Sequence, residues 1–261
     1  WLRSQWAASL AMAVPLLASF GQLPWLSPLT NLYAIPLIGS VLTPAALLAS
    51  VLPGDEGIYW VAWALGWAMW PLEALAEVSP WQQAAPSTLG IALAAAGVAL
   101  LSLPAGVAGR SLGLWLCLPL LWPADRAPPE GQAQISVLDV GQGLATVVQT
   151  REHTLIYDPG PLYSAESDAG QRVVVPFLRH VGLSRIDLMM VTHRDTDHSG
   201  GAASVLSALR VDKVSSSLAD SLGEPCVAGQ RWTWDGVAFE VLHPAAEAYA
   251  GNAKPNHLSC V

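Results

Sequence analysis

The window Thr192-His193-Arg194-Asp195-Thr196-Asp197-His198 places two imidazoles and two carboxylates within six positions. Imidazole nitrogen and carboxylate oxygen are ligand atoms for Zn²⁺, Mn²⁺ and Fe, and the share of Asp tilts this set toward the harder ions. In an extended loop leaving a strand, His193, Asp195 and Asp197 alternate and converge on one side, while His198 points to a neighbouring site. Any one of these residues alone reads as a loop position or a helix cap. Four together at the end of an apolar run read as a metal site, because crowding them without a cation is costly. Gly200 and Gly201 follow, and allow close backbone approach at the start of a helix.

The elements around this window imply a layered α/β domain. Strands are expected at Ile135–Val140, Ala145–Gln149, Thr154–Tyr157, Ile186–Val191, Lys213–Ser216, Arg231–Trp234 and Val237–Leu242. Asp235-Gly236 is the expected hairpin turn between the last two. Short helices are expected at 173–181, ended by Gly182, and at 202–209. Residues 161–171 and 192–201 read as loops. Asp139 and Asp158 each end a β run just before glycine, and strand ends at one sheet edge collect in one place. Both are therefore candidates to support the ligands or to join them. Cys117, Cys226 and Cys260 are scattered without a CxxC pair, and read as neither a disulfide framework nor a zinc ribbon.

The first half has a different solvent. Residues 1–122 contain only Arg3, Arg110, Asp55, Glu56, Glu73 and Glu77 as charges, yet hold ten of the twelve tryptophans. No charge occurs from Ser4 to Gly54. A soluble domain of that length needs a charged surface, so the segment reads as membrane-embedded. Spans are expected at 5–23, 32–52, 57–72 and 86–105, with a short fifth at 111–123. Trp25, Trp60, Trp70, Trp81 and Trp122 lie near span ends, where interfacial aromatics belong. Pro15, Pro36 and Pro44 interrupt spans and need compensation from protein or a wet cavity. If Arg3 and Arg110 are both cytoplasmic, five spans put the second half outside; with four it lies inside. Residues 124–134, rich in proline and charge, are the linker. The net charge of −8 gives no basic footprint for nucleic acid. The chain opens on Trp1 and stops at Val261 in what reads as an unfinished strand, so it is expected to be a fragment.

The run from Thr192 to Gly201 resembles the metal-binding signature of the metallo-β-lactamase fold, with Asp195 where the usual form has a second His. With Val137-Leu-Asp-Val-Gly-Gln-Gly143, Leu155-Ile-Tyr-Asp-Pro-Gly160, Val174-Val-Pro-Phe-Leu-Arg179 and Asn256-His-Leu-Ser-Cys-Val261, the chain resembles the ComEC family of competence proteins. Ser27-Pro-Leu-Thr-Asn-Leu32 and Ile35-Pro-Leu37 extend the resemblance to that family's membrane domain. The resemblance implies a multi-pass protein of the bacterial inner membrane that carries single-stranded DNA inward, alongside other competence proteins. Residues 1–123 would end the channel domain, and 135–261 would be a partial αββα metallo-β-lactamase-like domain. It also implies metal-assisted hydrolysis of a phosphodiester with one or two divalent ions, Zn²⁺ or Mn²⁺. His193 and Asp195 would serve one ion, Asp197 and His198 the other, with Asp197 orienting the nucleophile and Asp158 holding the loop. The strand that does not enter would be degraded.

This sequence departs from the family pattern at several points. Leu144 follows Gly-Gln-Gly where many relatives have Asp, no third-motif His stands near 215–217, and His243 reads as a strand end before Pro244. The family's later ligands are expected beyond Val261, so these residues alone should bind metal incompletely and be inactive. His153, His180 and His257 read as surface or loop histidines. Two other readings stay open: a domain that binds DNA or supports the channel without catalysis, and a membrane-anchored hydrolase of a small ester or lipid.

Overall fold

Alternating apolar residues in the second half build a sheet with two covered faces. The computed structural model describes residues 2–78, 80–104, 106–218, 222–250 and 254–261. Residues 1–123 and 124–261 form two compact units. In the second unit the strands are β1 (Gln134–Val137), β2 (Ala145–Gln149), β3 (Thr154–Pro159), β4 (Arg185–Val191), β5 (Arg210–Ser216) and β6 (Glu224–Pro225). They lie in one sheet in the order β6-β5-β4-β3-β2-β1. β1, β2 and β3 pair antiparallel, while β3 to β6 run parallel. Parallel neighbours need crossovers. The helices Val175–Val181 and Ala202–Ala208 lie in the connections between β3 and β4 and between β4 and β5.

Both helices bury their apolar stripe on one face of the sheet. Val174, Leu178 and Val205 pack with Val147, Ile156, Ile186, Met189 and Val191. The opposite face carries Leu155, Leu188 and Met190, covered by Val241, Trp232, Trp234 and Phe239. Those aromatics belong to a hairpin, β7 (Arg231–Trp234) and β8 (Val237–Glu240). Asp235 and Gly236 both have positive φ at its turn, as a two-residue hairpin connection requires.

Several expectations change. β1 stops at Val137; Leu138 N–H still bonds Ala145 O, and the chain then bends into the glycine loop. β3 runs on through Asp158 to Pro159. The 161–171 loop contains a small antiparallel pair, Leu162–Ser164 with Ser167–Asp168. Thr196–Ser199 is one helical turn rather than extended loop. Cys226 and Cys260 form a disulfide across 34 residues, contrary to the sequence expectation. The ends of β6 and of the chain meet in space, a proximity that sequence spacing does not carry.

The first unit is helical: Leu2–Phe20, Ser27–Val51, Glu56–Ala76, Thr88–Ser102 and the short Leu112–Cys117. Four or five spans were expected, but among the described residues only Ser27–Val51 is both long and apolar enough to cross a membrane. Leu103 turns extended and ends the fourth helix before Pro104, and the last residue of that expected span, Ala105, lies outside the described residues. Within Ser27–Val51 the stretch Ile35–Leu42 is a π-helix. Pro36 cannot donate to the helix ladder, and the widened turn absorbs the defect. The Thr43 hydroxyl donates to Ile38 O at 2.8 Å within the same stretch. Gly97 and Gly113 let two helices meet backbone to backbone, since a Cβ on either would fall on the other's carbonyl.

Candidate metal centre

Strand β4 is buried from Leu188 to Val191 and delivers Thr192 and His193 to its end, both buried. The helical turn that follows folds Asp197 and His198 back, so that ligand atoms of His193, Asp197 and His198 lie within 4.8 Å of one another. The two imidazoles stand 4.2 Å apart, centroid to centroid. Asp195 is outside this trio, but its Oδ2 is 3.5 Å from His193 Nε2. It occupies the cap position of the turn, where its carbonyl accepts from His198 and Ser199 N–H.

Asp158 organises the cluster from beneath. It is fully buried and sits at φ 59°, a conformation that Asp tolerates better than most residues. Its Oδ1 accepts Thr192 N–H at 2.7 Å, and its Oδ2 accepts the Thr192 hydroxyl at 2.8 Å. The same Oδ2 lies 2.7 Å from His198 Nδ1. Burial pushes this carboxyl up, while the hydrogen bonds from Thr192 and His198 pull it down. The Thr192 hydroxyl gives its proton to Asp158, so it can only accept from His193 Nδ1, 2.9 Å away. One carboxylate therefore sets both rings, His198 directly and His193 through a hydroxyl. Each ring keeps its proton on Nδ1 and presents Nε2 to a carboxylate: His193 to Asp195, and His198 to Asp197 at 3.6 Å. Nε2 atoms turned toward carboxylate oxygens suit a divalent cation, and a hydrogen bond at Nδ1 is the orienting contact such a ligand uses.

The other expected residues divide. Gly200 and Gly201 are close-packed: a Cβ at Gly200 would strike Leu162 N and Pro161, and one at Gly201 would strike Pro159 O and Gly170. Asp139 is exposed and accepts from Gly141 N–H within its own turn. What its loop gives the site is backbone. Leu144 N–H bonds Asp197 O at 3.2 Å, and Gly143 lies so close that a Cβ would fall on that carbonyl. Sequence reasoning missed Thr192 and Ser259, whose Oγ lies 3.4 Å from His193 Nδ1. A hydroxyl next to a ligand His was the available signal for Thr192, and Ser259 had none. His243 is exposed and turned toward Ser259 O at 2.8 Å. His153 is stacked on Trp234 and paired with Asp235, so it is a fold contact and not a bare surface residue.

A family model described as "Competence protein" matches residues 1–107, and one described as "Metallo-beta-lactamase superfamily" matches residues 138–253. The chain is 35% identical over 265 residues to "Competence protein ComA" of Neisseria gonorrhoeae, covering 100% of this chain and 37% of that protein. The chain is similar along its whole length to competence proteins of the ComEC type. Two further members of this comparison are more distant in coverage. "Uncharacterized protein YcaI" of Escherichia coli is 32% identical over 246 residues, 89% of this chain and 31% of that one. "Recombination protein 2" of Haemophilus influenzae is 32% identical over 133 residues, 49% of this chain and 16% of that one. The chain thus spans about a third of the length of the first two relatives.

Proposed function

We propose that residues 1–123 belong to a channel in the bacterial inner membrane that takes up single-stranded DNA in natural transformation. Residues 124–134 are the linker, and 135–261 form part of a metal-dependent phosphodiesterase that degrades the strand left outside. The observation that carries this reading is the His193–Asp197–His198 cluster, with both rings set by Asp158, on a chain that also carries the competence-family helices. The first unit supports a lipid environment through its nearly charge-free sequence and its outward Trp and Leu side chains. The disulfide supports a location outside the reducing cytoplasm, on the side that five spans and a cytoplasmic Arg3 and Arg110 also give.

His193, Asp197 and His198 would hold a divalent cation, Zn²⁺ or Mn²⁺, with Asp195 placed to share it or a second one. A bound cation would supply Lewis acidity toward a phosphodiester oxygen and a nucleophile at neutral pH. Asp197, exposed at the mouth of the cluster, orients the nucleophile, and Asp158 keeps both imidazoles in the ligating tautomer. The chain is acidic, so DNA is held by the cation and local arginines such as the exposed Arg194, and its general field repels phosphate. Partners are DNA, lipid and other competence proteins.

The full-length protein with Mn²⁺ or Zn²⁺ should cleave DNA, and Asp197→Ala should lower the rate at least ~10²-fold. Absence of cleavage under either metal defeats the nuclease reading. A second reading, a non-catalytic domain that binds DNA or braces the channel, is favoured by Asp195 standing where a His is usual. Under it, transformation survives Asp197→Ala at normal protein level.

A further inference from the structure

We infer that the Cys226–Cys260 disulfide is a positioning crosslink for the metal centre, closed by oxidation before the centre can bind its cation tightly. The inference rests on the metal-site reading above. Both cysteines are fully buried, and Cys260 lies directly against the end of β4. Its N–H donates to Thr192 O at 3.0 Å, so it is bonded to the residue that orients His193. Its carbonyl accepts from Tyr157 OH at 2.6 Å, one residue before Asp158. The preceding Ser259 places its Oγ 3.4 Å from His193 Nδ1. That hydroxyl donates to Asn256 O at 3.2 Å, so toward the imidazole it acts as an acceptor and shares the Nδ1–H with Thr192. The segment 259–261 thus reaches the ligand His at the same Nδ1 that Thr192 holds.

Hydrogen bonds also hold this segment to the chain just after the hairpin. Leu242 and His243 bond Val261, and His243 Nδ1 bonds Ser259 O. The covalent link runs elsewhere, to Cys226 at the end of β6, which is fixed by its N–H to Ser216 O at 3.2 Å and by Tyr249 OH on its carbonyl at 2.8 Å. The disulfide therefore ties the strap to the parallel sheet, the same sheet that carries Thr192 and His193. Closure breaks two S–H bonds and forms one S–S bond. The two protons and two electrons pass to a disulfide oxidant, which leaves as a dithiol. With both sulfurs buried, the closed bond is a fixed clamp made during folding, and the oxidising compartment that makes it is where the metal centre matures.

The test uses the full-length protein in wild-type form, as Cys226→Ser/Cys260→Ser, and as Ser259→Ala. Peptide mapping reports the crosslink, competition with a chromophoric chelator reports Zn²⁺ affinity, and visible absorption reports the geometry of bound Co²⁺. A crosslinked 226–260 peptide is expected in the wild type. Zn²⁺ affinity should fall ~10–100-fold in the double variant and about 10-fold in Ser259→Ala, each with an altered Co²⁺ spectrum. A folded double variant with unchanged affinity and spectrum overturns the inference. If the double variant does not fold, Ser259→Ala decides, and wild-type behaviour there overturns it equally. Free thiols at 226 and 260 in protein taken from cells also overturn it. Wild type that binds no Zn²⁺ sinks the metal reading and this inference with it, whereas equal binding by wild type and variants sinks the inference alone.

Discussion

Trp60, Trp63, Trp67 and Trp70 expose 61–68% of their surface along one helix of the first unit, while Ile156, Ile186, Met189 and Val191 of the second expose none. The two units treat apolar side chains in opposite ways. In the second they face inward, between helices and hairpin, and charges coat the outside. In the first, small residues such as Ala49, Ala68 and Ala94 fill the contacts and the bulky rings point out. Water drives the second arrangement through burial of apolar area. In lipid that drive is absent, and close contact between small residues takes over. Outward bulky apolar side chains are what the proposed lipid surround of the first unit would require, although only Ser27–Val51 among its described helices is both long and apolar enough to cross a membrane.

The contrast can be broken most sharply by moving charge. Met189→Asp should cost about 4–5 kcal/mol or more and abolish the cooperative melt of the second unit, because it buries a carboxylate with no partner. Trp63→Gln, at an outward position, should leave the melt of the first unit unchanged in detergent. Equal losses from the two changes would show that both units are packed alike. A smaller effect should come from Gly143→Ala. Its φ of 136° is strained for alanine, and the new methyl falls on Asp197 O, so about 1–3 kcal/mol of strain is expected. Weaker Zn²⁺ binding should accompany a modest drop in melting temperature, and unaltered binding would detach the glycine loop from the site.

The smallest effect is electrostatic and belongs to the water-facing unit alone. Asp235 is held down to about 2, first by the Thr150 hydroxyl, then by Glu152 N–H and His153. Its folded value lies below the ordinary carboxylate range, so its contribution is present above roughly pH 4 and fades as pH falls through about 2. Asp235→Asn should therefore flatten the decline of the urea midpoint between those limits. An unchanged slope would mean that the Asp235 contacts do not persist in solution.

Much of the second unit is legible in the sequence, because its apolar runs are short and bounded by glycine or aspartate. The ligand window stands out by residue type and spacing, whereas Asp158 shares its strand-end position with the exposed Asp139, and only the family resemblance singles it out as the brace. The disulfide is not legible, since Cys226 and Cys260 meet only after β6 and the hairpin have folded. Nor is the joining of His198 to His193 and Asp197. Extended spacing puts His193, Asp195 and Asp197 on one side, and one helical turn at 196–199 brings in His198 and leaves Asp195 at its cap. In the first unit apolar composition marks the region but not its helix ends. Pro36 is absorbed within a π-helical stretch and Pro104 follows a stop, and the same residue type carries both signals.

Gly143, Gly170, Gly200 and Gly201 each stand where a methyl would land on another segment's main chain. The floor under the ligands is thus peptide stacked on peptide, with no adjustable side chain between. Such a floor separates where a ligand stands from what the ligand is. Asp195 holds the turn through its carbonyl, so its side chain can stand in a histidine's usual place without unmaking the turn. If the cluster holds a cation as proposed, metal preference can change by substitution at such positions, whereas a side chain at any of these four glycines would collide with main chain.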